Sequence, residues 1–190
     1  MVTELLLASK SPRRRQLLES LGFPMRVVAI DVDEHIEASV EACEVAESLA
    51  KRKSEAYSIS SLQDGQVLIT ADTVVVLDNR VLGKPHDFQE AVAMLRSLSG
   101  KIHRVYTGVC IKSISHQESF TECTEVHFKD LSDAEIDHYI RTFQPFDKAG
   151  SYGIQEWIGM IGIDRIEGCY YNVMGLPLSH LYEVVTSGRF

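Results

Sequence analysis

The chain has 190 residues, enough for one large domain or two closely joined lobes with a sizeable core. Apolar residues make up 45% of it and charged residues 24%, close to the globular average, which argues against a disordered chain. The net charge of −8 at pH 7 argues against a general binder of nucleic acid or of anionic membranes, so any site for a polyanion has to be a local basic pocket.

Cysteine usage and the N-terminal segment indicate the compartment. The four cysteines include no CxxC pair, and isolated thiols in a chain of this size are typical of a reduced, cytosolic protein. The four apolar residues at 5–8 follow no basic segment, which does not fit a signal peptide. No apolar run approaches the roughly 20 residues that span a bilayer. We therefore expect a soluble cytoplasmic protein with no membrane partner and no nucleic-acid partner.

The first predicted elements are a strand and a capped helix. Residues 5–9 have the apolar character of a buried strand. Ser11 is a favourable N-cap and Pro12 suits the first helical position, so a helix is expected over residues 12–21, ending at Gly22.

The rest of the chain alternates between strand-like and helix-like segments. In chain order they are a strand at 25–30, a helix within 40–58, two strands within 66–85 joined by a turn at Asp78-Asn79, a helix at 87–98, two strands within 102–128, a helix from Ser132 or Asp133 to about 142 and a short helix from about Pro177. Because the alternation includes a hairpin, we expect an α/β fold with a mixed sheet. No segment rich in Gly, Pro or Ser marks a clean domain boundary.

Three arginines stand at the start of the first predicted helix, where the helix dipole disfavours positive charge. At about 100° per residue, Arg14 falls near the middle of the stripe formed by the helix's leucines. Arg13 lies about a right angle to one side, and Arg15 points further away. A solvated basic surface would avoid the apolar stripe. We therefore interpret Arg13 and Arg14 as directed toward an anion, and Arg15 as solvated.

Two further charges lie among apolar residues. Lys53 falls within the apolar stripe of the long helix, whereas Lys51 and Arg52 fall outside it and are expected to be solvated. A lysine can extend out of an apolar face, but two helices that each direct a cation inward suggest a shared anionic ligand. Asp72 lies between strand-like apolar residues, where an isolated carboxylate is costly. An ion pair, a capping role, a metal ligand and a general base all remain open for it.

Weaker candidates lie in loops. Glu34, in an acidic loop, is either a second carboxylate of the site or a solvated residue. Lys84 and Lys148 each stand in a glycine-containing turn, in the segments "GKP" and "DKAG". The amide of Gln155 can donate and accept hydrogen bonds, which suits a nucleobase edge as well as a structural role. Zinc-site spacings, a P-loop, a dinucleotide-binding glycine pattern and a nucleophile elbow are missing from the sequence.

Five segments carry a resemblance to a known family. They are "LLLASKSPRRRQLLESLG", "LAKRKSEA", "ITADTVVVLDNRVLGKP", "LSGKIHRVYTGV" and "DKAGSYGIQ". Together, and in this order, they resemble the Maf family of nucleoside triphosphate pyrophosphatases. The resemblance implies a single Maf-like domain over residues 1–190. It also implies an elongated mixed sheet flanked by helices, with two lobes around a deep cleft, related to the inosine-triphosphate pyrophosphatases.

The resemblance also implies a reaction. Members hydrolyse a nucleoside triphosphate to the monophosphate and pyrophosphate with a divalent metal cation, Mg²⁺ or Mn²⁺. One branch acts on dTTP and UTP, and another acts on N7-methyl-GTP. Thr73 in "ADT" and Gln155 in "SYGIQ" match the dTTP/UTP branch, since the other branch is expected to carry Glu in place of this Gln.

Site residues follow from the same motifs. Asp72 corresponds to the catalytic aspartate, and Arg13, Thr73 and Gln155 correspond to positions that govern substrate choice. The polar residues of the family's cleft correspond to Ser9, Arg14, Glu34, Lys53 and Lys84. We expect Ser9, Arg14, Lys53 and Lys84 to bind phosphate. Glu34 would join Asp72 in holding the metal.

Alternatives remain at this stage. The same chemistry could serve 7-methyl-GTP or another modified nucleotide. A role in restraining septum formation, proposed for the family, suggests instead a nucleotide-responsive regulator of cell division. The sequence leaves open the preferred metal, a homodimer, and whether the cellular substrate is an ordinary or a modified pyrimidine nucleotide.

Overall fold

The structure is a computed structural model that describes residues 2–33, 35 and 40–190. Its strands are β1 (Glu4–Leu7), β2 (Met25–Val27), β3 (Gln66–Leu77), β4 (Arg80–Leu82), β5 (Ile102–Lys112), β6 (Gln117–Phe128) and β7 (Ile163–Glu167). Its α-helices are α1 (Pro12–Glu19), α2 (Val45–Ala56), α3 (Phe88–Leu98), α4 (Asp133–Phe143), α5 (Trp157–Gly162), α6 (Tyr170–Met174) and α7 (Leu178–Thr186).

The strands form a seven-stranded mixed sheet flanked by helices. The strand order is β2-β1-β3-β5-β6-β7, and β4 pairs with β3. Strand β1 runs parallel to β2 and β3, whereas β4 is antiparallel to β3 and β7 is antiparallel to β6. The predicted α/β fold with a mixed sheet is therefore confirmed.

Local sequence signals account for several element boundaries. The Ser11 hydroxyl accepts a hydrogen bond from the Arg14 backbone N–H at 3.4 Å, with Pro12 in the first turn, as predicted for α1. Helix α4 begins at a capping box formed by Ser132 and Glu135. Both turn residues between β3 and β4, Asp78 and Asn79, have positive φ, of 50° and 63°, which matches the predicted hairpin turn.

Three predicted elements were longer than the observed ones. Helix α1 ends at Glu19 rather than at residue 21, and β1 spans Glu4–Leu7 rather than residues 5–9. Strand β2 ends at Val27 rather than at residue 30, because its ladder partner in β1 is Leu7, where β1 itself ends.

The chain divides into two compact units. Unit 1 comprises Met1–Asp72, Thr107–Glu122 and Gly175–Phe190, and unit 2 comprises Thr73–Tyr106 and Cys123–Met174. Unit 1 contains a core cluster of Leu6, Ala8, Leu62 and Leu68, with Val28, Ile30 and Tyr57 packed against it. Unit 2 contains a core cluster that includes Leu95, Leu98, Val105, Val126, Ile136, Tyr139, Ile140 and Ile158. Among the residues that the structure describes, no helix combines the length and hydropathy needed to cross a membrane.

A buried histidine in the core of unit 2 makes stability dependent on pH. His103 is 1% exposed, and its Nε2 lies 2.7 Å from the hydroxyl oxygen of Tyr152. Its ring also packs against Phe128, with ring centroids 5.3 Å apart. Burial, with a smaller effect from His127, lowers the pKa of His103 from 6.5 to about 3. The imidazole is therefore neutral in the folded protein at neutral pH.

We expect the free energy of unfolding to fall as the pH decreases below 6.5. Unfolded chains then bind a proton on His103 that the folded protein does not bind until about pH 3. The expected contribution is about 1.4 kcal/mol per pH unit within that window. Urea unfolding of the wild type and of the double variant His103→Phe/Tyr152→Phe measures this contribution. The double variant removes both polar partners together, so neither is left buried without the other. If the free energy of unfolding changed equally with pH in the two proteins between about pH 6 and 5, the expectation would be contradicted.

Candidate active site

Helix α2 lies unusually close to strands β3 and β5 within unit 1. A Cβ atom added to Gly108 of β5 would lie 2.2 Å from the backbone nitrogen of Glu47 in α2. The buried hydroxyl of Thr70 in β3 donates a hydrogen bond of 2.7 Å to the carbonyl oxygen of Ala50 in α2. The hydrogen bond from Thr70 and the absence of a side chain at Gly108 therefore set the position of α2.

The C-terminal end of α2 is also held from the sheet. The ammonium group of Lys112 in β5 donates to the carbonyl oxygens of Ser54 and Tyr57, each at 3.3 Å. A cation is favourable at this end of a helix because the last carbonyl groups carry partial negative charge. These contacts fix the part of α2 that carries Lys53.

Lys53 and Asp72 form a mostly buried ion pair. Lys53 is 8% exposed, as its predicted place in the apolar stripe of α2 requires. Its ammonium group donates a hydrogen bond to the carboxylate Oδ2 of Asp72 in β3. The Asp72 side chain keeps 16% exposure, so the carboxylate still reaches solvent. Because each group offsets the cost of burying the other, unit 1 can hold this ion pair within an apolar strand.

The arginines of α1 separate as their helical positions predict. Arg14 is half-buried, and its Nε donates to the carbonyl oxygen of Gly175 at 2.9 Å. Its Nη1 lies 3.5 Å from the hydroxyl of Ser9. Arg15 is 62% exposed and pairs with Glu19 at 2.8 Å, one helical turn away. Arg13 is half-buried. The structure therefore brings Ser9 and Arg14 together and leaves Arg15 in solvent.

Three of the remaining candidates belong to unit 2. Thr73 is half-buried in β3, and Lys84 is exposed in the loop after β4. Gln155 is half-buried just before α5, and its Oε1 is buried without a hydrogen-bond partner among the residues that the structure describes. A buried acceptor that stays unpaired typically costs about 1–3 kcal/mol, so a ligand that donates a hydrogen bond to this oxygen would gain affinity.

Glu34 lies outside the described residues, but the chain on either side of it is held by α2. The guanidinium group of Arg52 donates to the backbone carbonyl oxygens of Asp33, at 3.2 Å, and of His35, at 2.6 Å. The expectation that Arg52 is simply solvated was therefore wrong, since it is half-buried against this segment. The helical position of Arg52 gave no signal of this contact, because its partners are backbone atoms distant in sequence.

Asp72 fits a divalent metal ion. A carboxylate oxygen is the kind of ligand that Mg²⁺ and Mn²⁺ prefer, and Mg²⁺ is commonly held by one or two carboxylates together with substrate phosphates. Asp72 presents one oxygen to Lys53 and retains solvent access. This donor set suits a metal ion that arrives with a phosphate ligand.

A group of potential metal ligands that does not include Asp72 lies in unit 2. Ligand atoms of Glu125, His127 and Glu167 lie within 4.8 Å of one another. Both carboxylates already pair with arginines, Glu125 with Arg104 at 2.8 Å and Glu167 with Arg165 at 2.5 Å. These ion pairs account for the cluster, and we assign no metal to it.

A mixed α/β fold with a mostly buried Lys–Asp pair and two half-buried arginines on one helix suits the class of proteins that bind an anionic ligand. A family model described as "Maf-like protein" matches residues 4–187. The chain therefore belongs to the Maf family, as its five motifs predicted.

Known relatives resemble the chain over nearly its whole length. A "dTTP/UTP pyrophosphatase" of Bacteroides thetaiotaomicron is 50% identical over 180 residues, which cover 94% of this chain and 93% of the relative. One of the same name from Porphyromonas gingivalis is 50% identical over 182 residues, covering 95% and 92%. A solved structure of the Staphylococcus aureus Ham1 protein matches with a TM-score of 0.45 and 14% identity, over 67% of this chain and 72% of that one. That similarity is too low to support an argument.

Proposed function

We propose that the chain is a nucleoside triphosphate pyrophosphatase that hydrolyses dTTP and UTP to the monophosphate and pyrophosphate. The observation that carries the proposal is the 50% identity, over 94% of the chain, to a relative named dTTP/UTP pyrophosphatase. The buried Lys53–Asp72 pair and the half-buried arginines of α1 support it, because they supply a carboxylate and the cations that a triphosphate requires. Since the family match runs from residue 4 to residue 187, we also infer that both units belong to one Maf-like domain.

The chemistry assigns a role to each group. Breaking the bond between the α- and β-phosphates requires an attacking water and neutralisation of the phosphate charge. Asp72 orients this water or accepts its proton. Arg14, Lys53, Lys84 and the hydroxyl of Ser9 bind the phosphates. A divalent cation, Mg²⁺ or Mn²⁺, would be held by Asp72 and Glu34 and would neutralise phosphate charge when bound.

We assign recognition of the nucleobase to Thr73 and Gln155, together with Arg13. Uracil and thymine present an N–H donor beside a carbonyl acceptor, and an amide side chain can pair with both. Cytosine presents the reverse pattern, and an amide turned by 180° would match that pattern equally well. Discrimination against cytosine therefore depends on holding the Gln155 amide in one orientation.

Pyrophosphate release from a substrate panel tests the proposal. With Mg²⁺ present, dTTP and UTP are expected to be hydrolysed faster than dCTP, GTP and N7-methyl-GTP. Equal or faster hydrolysis of the other nucleotides would overturn the substrate assignment. Preference for N7-methyl-GTP would place the chain in the other branch.

The separation of Arg14 from Arg15 predicts unequal effects of the two substitutions. Arg14→Ala is expected to lower kcat/KM for UTP by roughly 10- to 100-fold, since a hydrogen bond to a charged group is worth about 1.5–3 kcal/mol. Arg15→Ala is expected to change kcat/KM by less than about twofold, because Arg15 is 62% exposed and pairs with another exposed residue, Glu19. Steady-state kinetics of both variants measure the difference. Equal losses would contradict the assignment of Arg14.

A further inference from the structure

A buried lysine in unit 2 lies between two carboxylates. Lys148 is 7% exposed, although a lysine is seldom found so deep in a protein. Its ammonium group lies 2.6 Å from the Oδ1 of Asp147 and 3.2 Å from the Oε1 of Glu156. Asp147 precedes Lys148 directly, whereas Glu156 is eight positions further along, so the second contact ties the two ends of this segment together.

Glu156 is the centre of a network that reaches the core. Its Oε2 accepts a hydrogen bond from the hydroxyl of Tyr139, a fully buried residue of α4. The same hydroxyl accepts a hydrogen bond of 3.0 Å from the backbone N–H of Gly153. A Cβ atom on Gly153 would lie 2.9 Å from the carboxylate carbon of Glu156. Tyr139 and Lys148 therefore fix the backbone of residues 148–156 through one carboxylate.

The same segment contains a strained backbone. Gly150 and Ser151 both have positive φ, of 68° and 61°, and this conformation is unfavourable for a serine. The N–H of Gly150 donates to the carbonyl oxygen of Gly83 at 3.0 Å. Strain of this kind persists only where surrounding contacts determine the conformation, and here the N–H of Ser151 also donates to the carbonyl oxygen of Lys148 at 3.1 Å.

Gln155 lies between two fixed positions, Gly153 and Glu156. Its neighbours are held by hydrogen bonds, while its own Oε1 is buried without a partner in the described part of the chain. The backbone around Gln155 is therefore fixed by its neighbours, while its side-chain oxygen stays available to a ligand.

We propose that Tyr139, Glu156 and Lys148 position Gln155 and so set the discrimination between uracil and cytosine nucleotides. This inference rests on the proposed function, since it concerns base choice at the same site. All three act as positioning residues, and none of them is required to touch the substrate. Loss of the network lets the Gln155 amide turn over, which admits cytosine but leaves the proposed catalytic residue Asp72 unchanged.

Tyr139→Phe tests the proposal with the smallest change. It keeps the ring in the core and removes only the hydroxyl that Glu156 and Gly153 share. The ratio of kcat/KM for UTP to that for CTP is expected to fall about tenfold, mainly because CTP turnover rises. Glu156→Gln, which removes the charge but keeps the shape, is expected to lower the ratio as well. Ile140→Val is the control, because Ile140 is a buried residue of the same helix outside the network and its truncation also reduces stability.

A second measurement is independent of activity. The ¹⁵N relaxation of the Gln155 side-chain amide in the free protein is expected to show greater mobility in Tyr139→Phe than in the wild type or in Ile140→Val. An unchanged Gln155 signal, or an unchanged UTP-to-CTP ratio in both network variants, would overturn the proposal. A wild type that does not hydrolyse UTP would refute the proposed function alone, and the Gln155 signal would then decide the positioning role by itself.

Discussion

Asp72→Asn is expected to reduce kcat for UTP by roughly a thousandfold, within the range of 10²–10⁴ that general acid–base catalysis contributes. The amide cannot accept a proton from the attacking water, and it is a weaker ligand for a divalent cation than a carboxylate. The variant is expected to be less stable, because the charge of Asp72 no longer offsets the burial of Lys53, but the remaining side-chain oxygen can still accept a hydrogen bond from Lys53. Pyrophosphate release measures the loss, and circular dichroism confirms that the variant is folded.

The control for this variant is the same chemical change at an exposed ion pair. Asp137 pairs with Arg141 at 2.8 Å one turn along α4, and both side chains are largely exposed. Asp137→Asn is expected to leave kcat within about twofold, since exposed pairs contribute little. If the Asp72→Asn variant kept more than about a tenth of the wild-type activity, the proposed catalytic role of Asp72 would be wrong.

Gly108→Ala is expected to destabilise the protein by about 3 kcal/mol, at the upper end of the usual cost of overpacking. The added methyl group would meet backbone atoms of α2 at 2.2–2.4 Å, and backbone cannot move aside as a flexible side chain can. Helix α2 has to shift, and Lys53 shifts with it. Both the midpoint of urea unfolding and kcat/KM are therefore expected to fall.

Gly83→Ala is the matched comparison for stability. A Cβ atom at Gly83 would meet nothing within 4 Å, and its φ is not positive. We expect its unfolding midpoint to stay near that of the wild type, with a change within about 0.5 kcal/mol. If both alanine variants unfolded at the same urea concentration, the close approach of α2 to β5 would not limit stability.

Much of the fold could be predicted because its signals are local. The caps of α1 and α4, and the turn at Asp78-Asn79, depend on residues within a few positions of one another. Helices α5 and α6 and strand β7 were not predicted. They have only six, five and five residues, too few for a periodic pattern, and they form because unit 2 supplies partners. Ile158 of α5, for example, is fully buried in its core.

The candidate site could likewise be predicted only where its signals are local in sequence. The unusual positions of Lys53 and Asp72 were each visible from apolar neighbours, but their pairing joins residues 19 positions apart and is a tertiary contact. Arg14 and Arg15 could be separated because a helix has a fixed angle per residue. The contact between Tyr139 and Glu156 had no sequence signal, since neither residue lies in an anomalous pattern.

The position of Tyr139 also fixes the direction of the hydrogen bonds around it. Burial, together with the hydrogen bond to Glu156, raises the pKa of the Tyr139 hydroxyl well above its ordinary value. The phenol therefore stays protonated throughout the alkaline range in which many surface tyrosines ionise. It always donates to the carboxylate and always accepts from the backbone. An enzyme whose base preference depends on this arrangement therefore does not lose that preference through ionisation of Tyr139.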